Sequence, residues 1–116
     1  MNPEIILNCA ASADGKIALA NRRKLNLSNE EDFKRVHSLR SDCDAIIVGI
    51  ETILEDDPSL TINTKYASGK EPIRIVLDTN CRTPKDAKVL DGKSKTIIAI
   101  GNKSKEKKLP NAELLR

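Results

Sequence analysis

The glycine and the threonine in Gly49-Ile50-Glu51-Thr52 form the first group of residues that could bind a ligand. They stand where a predicted strand passes into a helix, so free backbone N–H groups and the Thr52 hydroxyl could meet phosphate or hydroxyl oxygens. On local evidence alone, a helix cap is the commoner use of such a pair. The glycine-rich phosphate loops G-x-G-x-x-G and G-x-x-x-x-G-K-[ST] do not occur in the sequence.

Two other polar groups favour structural interpretations. Asp56 and Asp57 precede Pro58, but adjacent carboxylates at a helix end do not face each other, which favours a turn over a metal site. His37 is the single histidine of the chain, and no nucleophile motif surrounds it. A catalytic dyad or triad is therefore not supported, and a packing or hydrogen-bonding role is favoured.

Short apolar runs bounded by turn residues predict the strands that position these groups. We expect strands at 5–11, 45–49, 73–78 and 96–100, and a brief strand at 60–63. Ser12, Asp14 and Gly15 predict a turn after the first strand. Residues 16–27 are expected to form an irregular loop.

Two helices are predicted between these strands. Ser28 and Glu31 have the spacing of a capping box, and apolar residues then recur at helical spacing, which predicts a helix from about Asn29 to Leu39. A short helix at about 51–54 should stop at Asp57, because Pro58 disfavours helical backbone in the residue before it.

Strands alternating with helices or loops indicate an α/β domain with a mainly parallel sheet. In such sheets, ligands bind at the carboxyl ends of the strands. Here those ends fall at Ser12–Gly15, Gly49–Thr52, Asp78–Asn80 and Gly101-Asn102, and most of them carry hydroxyl, carboxylate or glycine residues.

Composition excludes several classes of function for a chain of 116 residues. It has one Phe, one Tyr and no Trp, which excludes aromatic platforms for single-stranded nucleic acid, and its net charge of +3 comes from interleaved charges. Its apolar runs are too short for a membrane span, and its three cysteines are an odd, widely spaced set. We therefore expect a cytoplasmic protein with reduced cysteines and without a metal, nucleic-acid or membrane partner.

Three segments together resemble the reductase family of riboflavin biosynthesis. They read LNCAASADGKIA, HSLRSDCDAIIVGIETILEDDPSLT and PIRIVLDTNCRTP, and within the second the pattern T-x-L-x-D-D-P-x-L-T is hard to obtain by chance. The likeness is greatest to the stand-alone archaeal branch, and it extends to the reductase domain that bacteria fuse to a deaminase.

The resemblance implies a dihydrofolate-reductase-like α/β fold, NADPH as cofactor and a homodimer. It also implies reduction of the ribosylamino side chain of a pyrimidinone 5′-phosphate to the ribitylamino form. The cofactor contacts that it implies are Ala10 (through its backbone), Thr52, Asp56, Leu77, Asp78, Thr79 and Asn80. For the substrate it implies Arg40 and Leu60. It assigns no catalytic residue, and neither Asp14 nor Lys16 is given a proton-transfer role.

Arg40 has two possible partners on the evidence of the sequence. It continues the apolar face of the predicted helix, where a buried guanidinium needs an anion. That anion is either the substrate phosphate or a nearby carboxylate, Asp42 or Asp44. Asn63 stands where bacterial relatives carry a basic residue, which weakens the expected phosphate contact at that position.

Members of the family are longer than this chain and carry a Glu-Gly-Gly-type loop that is absent here. We therefore expect residues 1–116 to be the N-terminal portion of a single reductase domain, with NAELLR beginning another strand. Two alternative functions stay open: a folate reductase on the same fold, and a nucleotide-binding fragment without catalysis.

Overall fold

The structure, a computed structural model, describes residues 2–17, 20–21 and 28–116. Two helices, four strands and one 3-10 helix make up its regular structure. In chain order they are α1 (Glu30–Asp42), β1 (Ala45–Gly49), α2 (Ile50–Asp56), β2 (Ile73–Leu77), the 3-10 helix (Lys88–Leu90), β3 (Thr96–Ala99) and β4 (Ala112–Leu115).

The four strands form one sheet in the order β1-β2-β3-β4, and every neighbouring pair is parallel. The α/β class with a mainly parallel sheet is confirmed. The strand that was expected to begin at NAELLR is β4. The register places Gly49 beside Leu77, Leu77 beside Ala99 and Ala99 beside Leu115, so the carboxyl ends of all four strands are level.

The hydrophobic core lies on one face of this sheet. Right-handed crossovers between strands that follow one another in a single direction all fall on the same face. Each of the three connections contributes to the same buried cluster: Ile53 from β1–β2, Val89 from β2–β3 and Leu109 from β3–β4. They pack against Val76 and Ile98, which are fully buried.

The opposite face of the sheet keeps apolar side chains in contact with solvent. Ile47 is 60% exposed, Leu77 54% and Leu115 53%. Because the crossovers cover the other face, these side chains have no layer above them within the described residues. Parallel sheets are ordinarily covered on both faces.

Helix α1 begins at Glu30, one residue later than the sequence predicts. Asn29, not Ser28, is the N-cap, and its side chain accepts a hydrogen bond from the Asp32 N–H at 2.9 Å. The capping-box prediction is therefore wrong by one position, although the helix itself is confirmed and extends to Asp42. The acidic first turn favours this helix end because it faces the positive end of the helix dipole.

Helix α2 ends as the sequence predicts. Its last residue is Asp56, and Asp57 adopts left-handed backbone with φ of 44° immediately before Pro58. Its N-cap is Gly49, so the helix starts directly at the end of β1.

Two predicted strands do not form. Residues 5–11 have no regular structure and are exposed, as Leu7 at 91% shows, and residues 60–63 form no ladder. Apolar composition indicates that a segment suits burial, but a strand also needs a neighbour to pair with, and 5–11 has none among the described residues. The turn at 12–15 is confirmed, with Gly15 at φ 82° donating to Ser12 O. Most of the predicted 16–27 loop, at 18–19 and 22–27, lies outside the described residues.

Candidate functional site

Two groups of predicted site residues lie at opposite ends of the strands. Thr52 and residues 77–80 follow the carboxyl ends of β1 and β2. Arg40 lies near the amino end of β1, since the chain passes from Arg40 to Ala45 in five residues and Asp44 O pairs with Ile73 N. A five-residue strand covers roughly 13 Å, which sets the scale between the two groups.

The carboxyl edge is organised by Asp78, which is 1% exposed. One of its carboxylate oxygens accepts from Arg82 N at 2.8 Å, and the other accepts from Thr83 N at 2.8 Å and Thr83 Oγ1 at 2.7 Å. These three bonds fold the loop after β2 and leave Thr79 and Asn80 exposed. The buried Asp78 carboxylate thus holds the loop at this edge. Its exposed neighbours Thr79 and Asn80 are the side chains that a ligand could contact.

A close backbone approach joins the ends of β2 and β3. The Gly101 N–H donates to Thr79 O at 2.9 Å. A Cβ on Gly101 would lie 3.0 Å from that oxygen and 3.1 Å from Thr79 Cγ2. A side chain at this position would be tightly packed, and Thr79 would have to shift by a few tenths of an ångström to make room for it.

An ion pair that the sequence did not predict crosses the same edge. Arg82 Nη1 lies 2.8 Å from Glu51 Oε1, and both side chains are about half exposed. The pair links the loop after β2 to the first turn of α2. Glu51 could have been suspected, since it stands at the predicted strand end, but no spacing rule pointed to Arg82.

Thr52 and Asp56 lie one helical turn apart on α2, and both are exposed. The helix cap is Gly49, and the Thr52 hydroxyl makes no hydrogen bond within the described residues. The hydroxyl is therefore available to a ligand at the carboxyl edge. No group of His, Cys, Asp and Glu side chains in the described part of the chain could hold a metal ion.

Ala10 is not brought to this edge by any hydrogen bond among the described residues. It lies in the exposed segment before the 12–15 turn, and Arg35 of α1 holds that segment through Asn8 Oδ1 at 2.7 Å. In the turn, the Ser12 hydroxyl donates to Asp14, and this bond lowers the pKa of the Asp14 carboxyl. Asp14 is ionised at neutral pH and cannot act there as a proton donor.

The second group surrounds an open cavity of about 420 Å³. Segment 58–61 and Asn63 form one wall, and His37 and Arg40 of α1 form the other. A volume of this size falls within the range of small-molecule sites. The cavity therefore brings both predicted substrate residues, Arg40 and Leu60, to one place.

Arg40 points its guanidinium into this region without an ion pair in the described residues. Nη1 donates to Thr61 O at 3.0 Å, while Nε is buried and has no partner. Neither Asp42 nor Asp44, its possible partners by sequence, bonds to it. Burial lowers the pKa of Arg40, opposed by the negative charge of Glu71. An arginine that lines an open cavity without an ion pair suits an anionic ligand.

Leu60 contributes backbone rather than side chain to the cavity. Its side chain is 3% exposed and belongs to the core, and its φ of 56° is left-handed, which is unusual for a leucine. Arg74 of β2, fully buried, donates to Ser59 O at 3.0 Å and also to Asp91 and Ser94. The core thus fixes the turn that forms this wall.

Side chains from other parts of the chain hold the whole of segment 58–63. Besides Arg74 on Ser59 O and Arg40 on Thr61 O, Glu71 accepts from Ile62 N at 2.9 Å. Asn63 N donates to His37 Nδ1 at 3.0 Å. No pattern in the sequence indicated these four contacts, because each depends on residues far apart in the chain.

The sequence matches the RibD C-terminal domain over residues 3–115. The chain belongs to the RibD C-terminal domain family. Two similar proteins, from Methanothermobacter thermautotrophicus and Archaeoglobus fulgidus, are both named 2,5-diamino-6-ribosylamino-4(3H)-pyrimidinone 5′-phosphate reductase. The first is 48% identical over 86% of this chain and 46% of its own length, and the second 41% over 94% and 53%. This RibD-family chain thus spans about half the length of these relatives.

A solved structure of the RibD family has the same fold. It is a diaminohydroxyphosphoribosylaminopyrimidine deaminase/5-amino-6-(5-phosphoribosylamino)uracil reductase from Thermotoga maritima, with a TM-score of 0.76 and 28% sequence identity. The match covers 92% of this chain and 30% of that one. In the described residues, no helix is long and apolar enough to cross a membrane.

Proposed function

We propose that this chain forms part of an NADPH-dependent reductase that converts the ribosylamino side chain of a pyrimidinone 5′-phosphate to the ribitylamino form. The observation that carries the proposal is the cavity lined by Arg40, whose guanidinium donates to Thr61 O and makes no ion pair within the described residues. Relatives named as this reductase support the choice of reaction.

The carboxyl edge is the proposed cofactor site. Its exposed hydroxyl and amide groups suit a dinucleotide, and the Asp78-centred loop holds them in place. The residues assigned to direct cofactor contacts are Ala10 through its backbone, Thr52, Asp56, Leu77, Thr79 and Asn80. Asp78, which the resemblance also assigns to the cofactor, would act by holding the loop that carries Thr79 and Asn80. Bound there, the nicotinamide would supply the hydride.

The cavity is the proposed substrate site. Arg40 binds the 5′-phosphate, and the backbone around Leu60 forms the wall beside it. The phosphate would then be anchored near the amino end of β1, and the ribosylamino carbon would extend toward the carboxyl edge. In the ring-opened imine form of the substrate, C1′ would accept the hydride as the C=N double bond becomes single. The nitrogen would take a proton from solvent, and the side chain would become ribityl. The protein's part is to orient both molecules.

The homodimeric state and the cytoplasmic location that the resemblance implies stay predictions. A small-molecule substrate is the partner that the reductase relatives imply.

The decisive experiment follows NADPH absorbance in the presence of the diaminopyrimidine phosphate, beside a fluorescence titration of NADPH alone. Turnover supports the reductase. NADPH binding without turnover would instead support a nucleotide-binding fragment, and the absence of both would overturn the proposal.

Arg40→Lys tests the substrate site separately. Lysine keeps the charge but loses the planar fork, so affinity for the phosphorylated substrate should fall about tenfold while NADPH affinity stays the same. Arg35→Lys, an exposed arginine on the same helix, is the matched control. Lower stability with unchanged substrate affinity would make Arg40 a structural residue.

A further inference from the structure

The protonation state of His37 follows from one hydrogen bond. Its Nδ1 accepts from the Asn63 N–H at 3.0 Å, so Nδ1 carries a lone pair and not a proton. The ring is therefore the neutral tautomer with its hydrogen on Nε2. Within the described residues, Nε2 makes no hydrogen bond, and His37 lines the cavity.

The ring is held in this orientation on a second side. It stacks on Tyr66 with centroids 5.6 Å apart and an angle of 20° between the planes. Tyr66 belongs to the turn that starts at Asn63, because its N–H donates to Asn63 O at 2.9 Å. The same turn thus supplies both the bond to Nδ1 and the stacking surface, which fixes the ring plane.

The charges around His37 favour its neutral form. Burial lowers its pKa first, and the nearby Arg40 guanidinium lowers it further, against the opposing charge of Glu71. Lys65 adds a positive charge at 5.3 Å from the Tyr66 ring centre. An anion entering the cavity would meet the positive Arg40 guanidinium and the neutral N–H donor of His37.

A phosphate bound in this cavity needs a hydrogen-bond donor besides Arg40. Asn63 lines the cavity, and its side chain supplies no positive charge. The Arg40 guanidinium is already committed to Thr61 O through Nη1. Because one guanidinium nitrogen already donates to the backbone, Arg40 alone leaves some phosphate oxygens without a protein donor.

We propose that His37 and Arg40 together form an anion subsite in this cavity, with His37 donating through Nε2–H as a neutral partner to the guanidinium. The ligand is a phosphate monoester. The subsite adds detail to the proposed function. Only the identification of its anion as the substrate's 5′-phosphate rests on that function. Ribose 5-phosphate and inorganic phosphate are the probes, because they report on the subsite without any reduction step.

Nuclear magnetic resonance of nitrogen-labelled histidine tests the subsite directly, because the chain has a single histidine and the signals need no assignment. The nitrogen shifts should show the Nε2–H tautomer in the free protein. Ribose 5-phosphate should shift the Nε2 resonance more than that of Nδ1 and should raise the pKa of His37. An Nε2 resonance that stays unshifted when ribose 5-phosphate or inorganic phosphate is added would overturn the role of His37.

A pair of variants separates binding from folding. The amide oxygen of His37→Asn can replace Nδ1 as acceptor for Asn63 N–H while the Nε2 donor is lost. We expect affinity for ribose 5-phosphate to fall about tenfold with little change in melting temperature. His37→Gln places its amide nearer Nε2, so it should retain more affinity and lose more stability.

Lys34→Asn, on the exposed side of α1, is the matched control and should change neither quantity. Wild-type affinity in His37→Asn would show that the subsite consists of Arg40 alone. The outcome is independent of reductase activity, since a chain that binds ribose 5-phosphate through His37 without turnover would support the subsite and contradict the proposed function.

Discussion

Thr52 offers the most direct test of the cofactor edge. Its hydroxyl is exposed on the first turn of α2, and no hydrogen bond in the described residues occupies it. Thr52→Val keeps the shape of the side chain and removes the hydroxyl. We expect the Michaelis constant for NADPH to rise about tenfold, because a lost polar contact costs about 1 to 3 kcal/mol, with the melting temperature nearly unchanged.

Thr64→Val is the control for this prediction. Thr64 is exposed near the cavity wall, at the other end of the strands, so its replacement should leave NADPH affinity alone. If Thr52→Val kept full cofactor affinity, the hydroxyl would have no role at this edge.

His37 predicts a specific pH dependence of stability. Burial and the Arg40 charge lower its pKa in the folded state, so below the unfolded value of about 6.5 the unfolded chain binds the proton more readily. The stabilising contribution is present above that value and is lost as the pH falls through the folded pKa. The melting temperature should therefore fall between about pH 7 and pH 5.

His37→Asn removes the titrating ring and should flatten this part of the curve. Carboxyl groups with a lowered pKa, such as Asp14, titrate only at more acidic pH. The effect of His37 on stability and that of the carboxyl groups therefore fall in different pH ranges. An unchanged slope in the variant would place the titrating group elsewhere.

At the level of secondary-structure elements, Gly101 couples the end of β3 to the loop after β2. Gly101→Ala would bring a methyl group within 3.0 Å of Thr79 O, and backbone cannot give way as a flexible side chain can. We expect a loss of about 1 to 3 kcal/mol in the free energy of unfolding, measured by denaturant titration, and weaker NADPH binding through the displaced Thr79.

Gly49→Ser is the matched control for this strand-end glycine. A Cβ at Gly49 meets no atom within 4 Å, and serine is a favourable helix N-cap, so α2 should keep or gain stability. Equal losses in both variants would show that the close approach to Thr79 is not the cause.

The sequence identified the elements whose signal is local. Strands β1, β2 and β3 are apolar runs rich in β-branched residues. Helix α2 ends at Asp56, because Pro58 disfavours helical backbone in the residue before it. The predicted strand at 5–11 has an equally strong local signal, yet pairing depends on a neighbour that composition does not reveal. The N-cap of α1 is Asn29 instead of the predicted Ser28, and the sequence alone did not separate the two because both residue types are good caps.

The candidate site was predictable in its location but not in its internal contacts. Strand ends and the family motif pointed to Thr52, Asp78 and Arg40. Nothing in the sequence indicated that the Asp78 carboxylate is fully occupied by its own loop, or that Arg74 supports the wall from the core. Such roles depend on three-dimensional burial, because an exposed and a buried charge look alike in sequence.

At the scale of the whole molecule, the open face of the sheet predicts self-association of this chain. Ile47 and Leu115 are more than half exposed on that face, and exposed apolar patches of this kind favour contact with another surface. Ile47→Thr with Leu115→Thr keeps strand propensity and lowers the apolar area. Sedimentation equilibrium should show weaker association of the double variant.

Ile5→Thr distinguishes this face from the exposed segment 5–11. That change should leave association as it is in the wild type. If Ile5→Thr dissociated the chain and the double variant did not, the contact would lie in the segment and not on the sheet.

The strand order also suggests how the fold assembles. Each strand pairs with the one synthesised immediately before it, so the sheet can lengthen in one direction as the chain leaves the ribosome. Ala45 pairs with Ile73, Arg74 with Thr96, and Thr96 with Ala112, so each successive pairing closes a shorter loop. Because closing a shorter loop costs less entropy, the pairing of β1 with β2 is the most demanding step, and every later strand joins an existing template more easily.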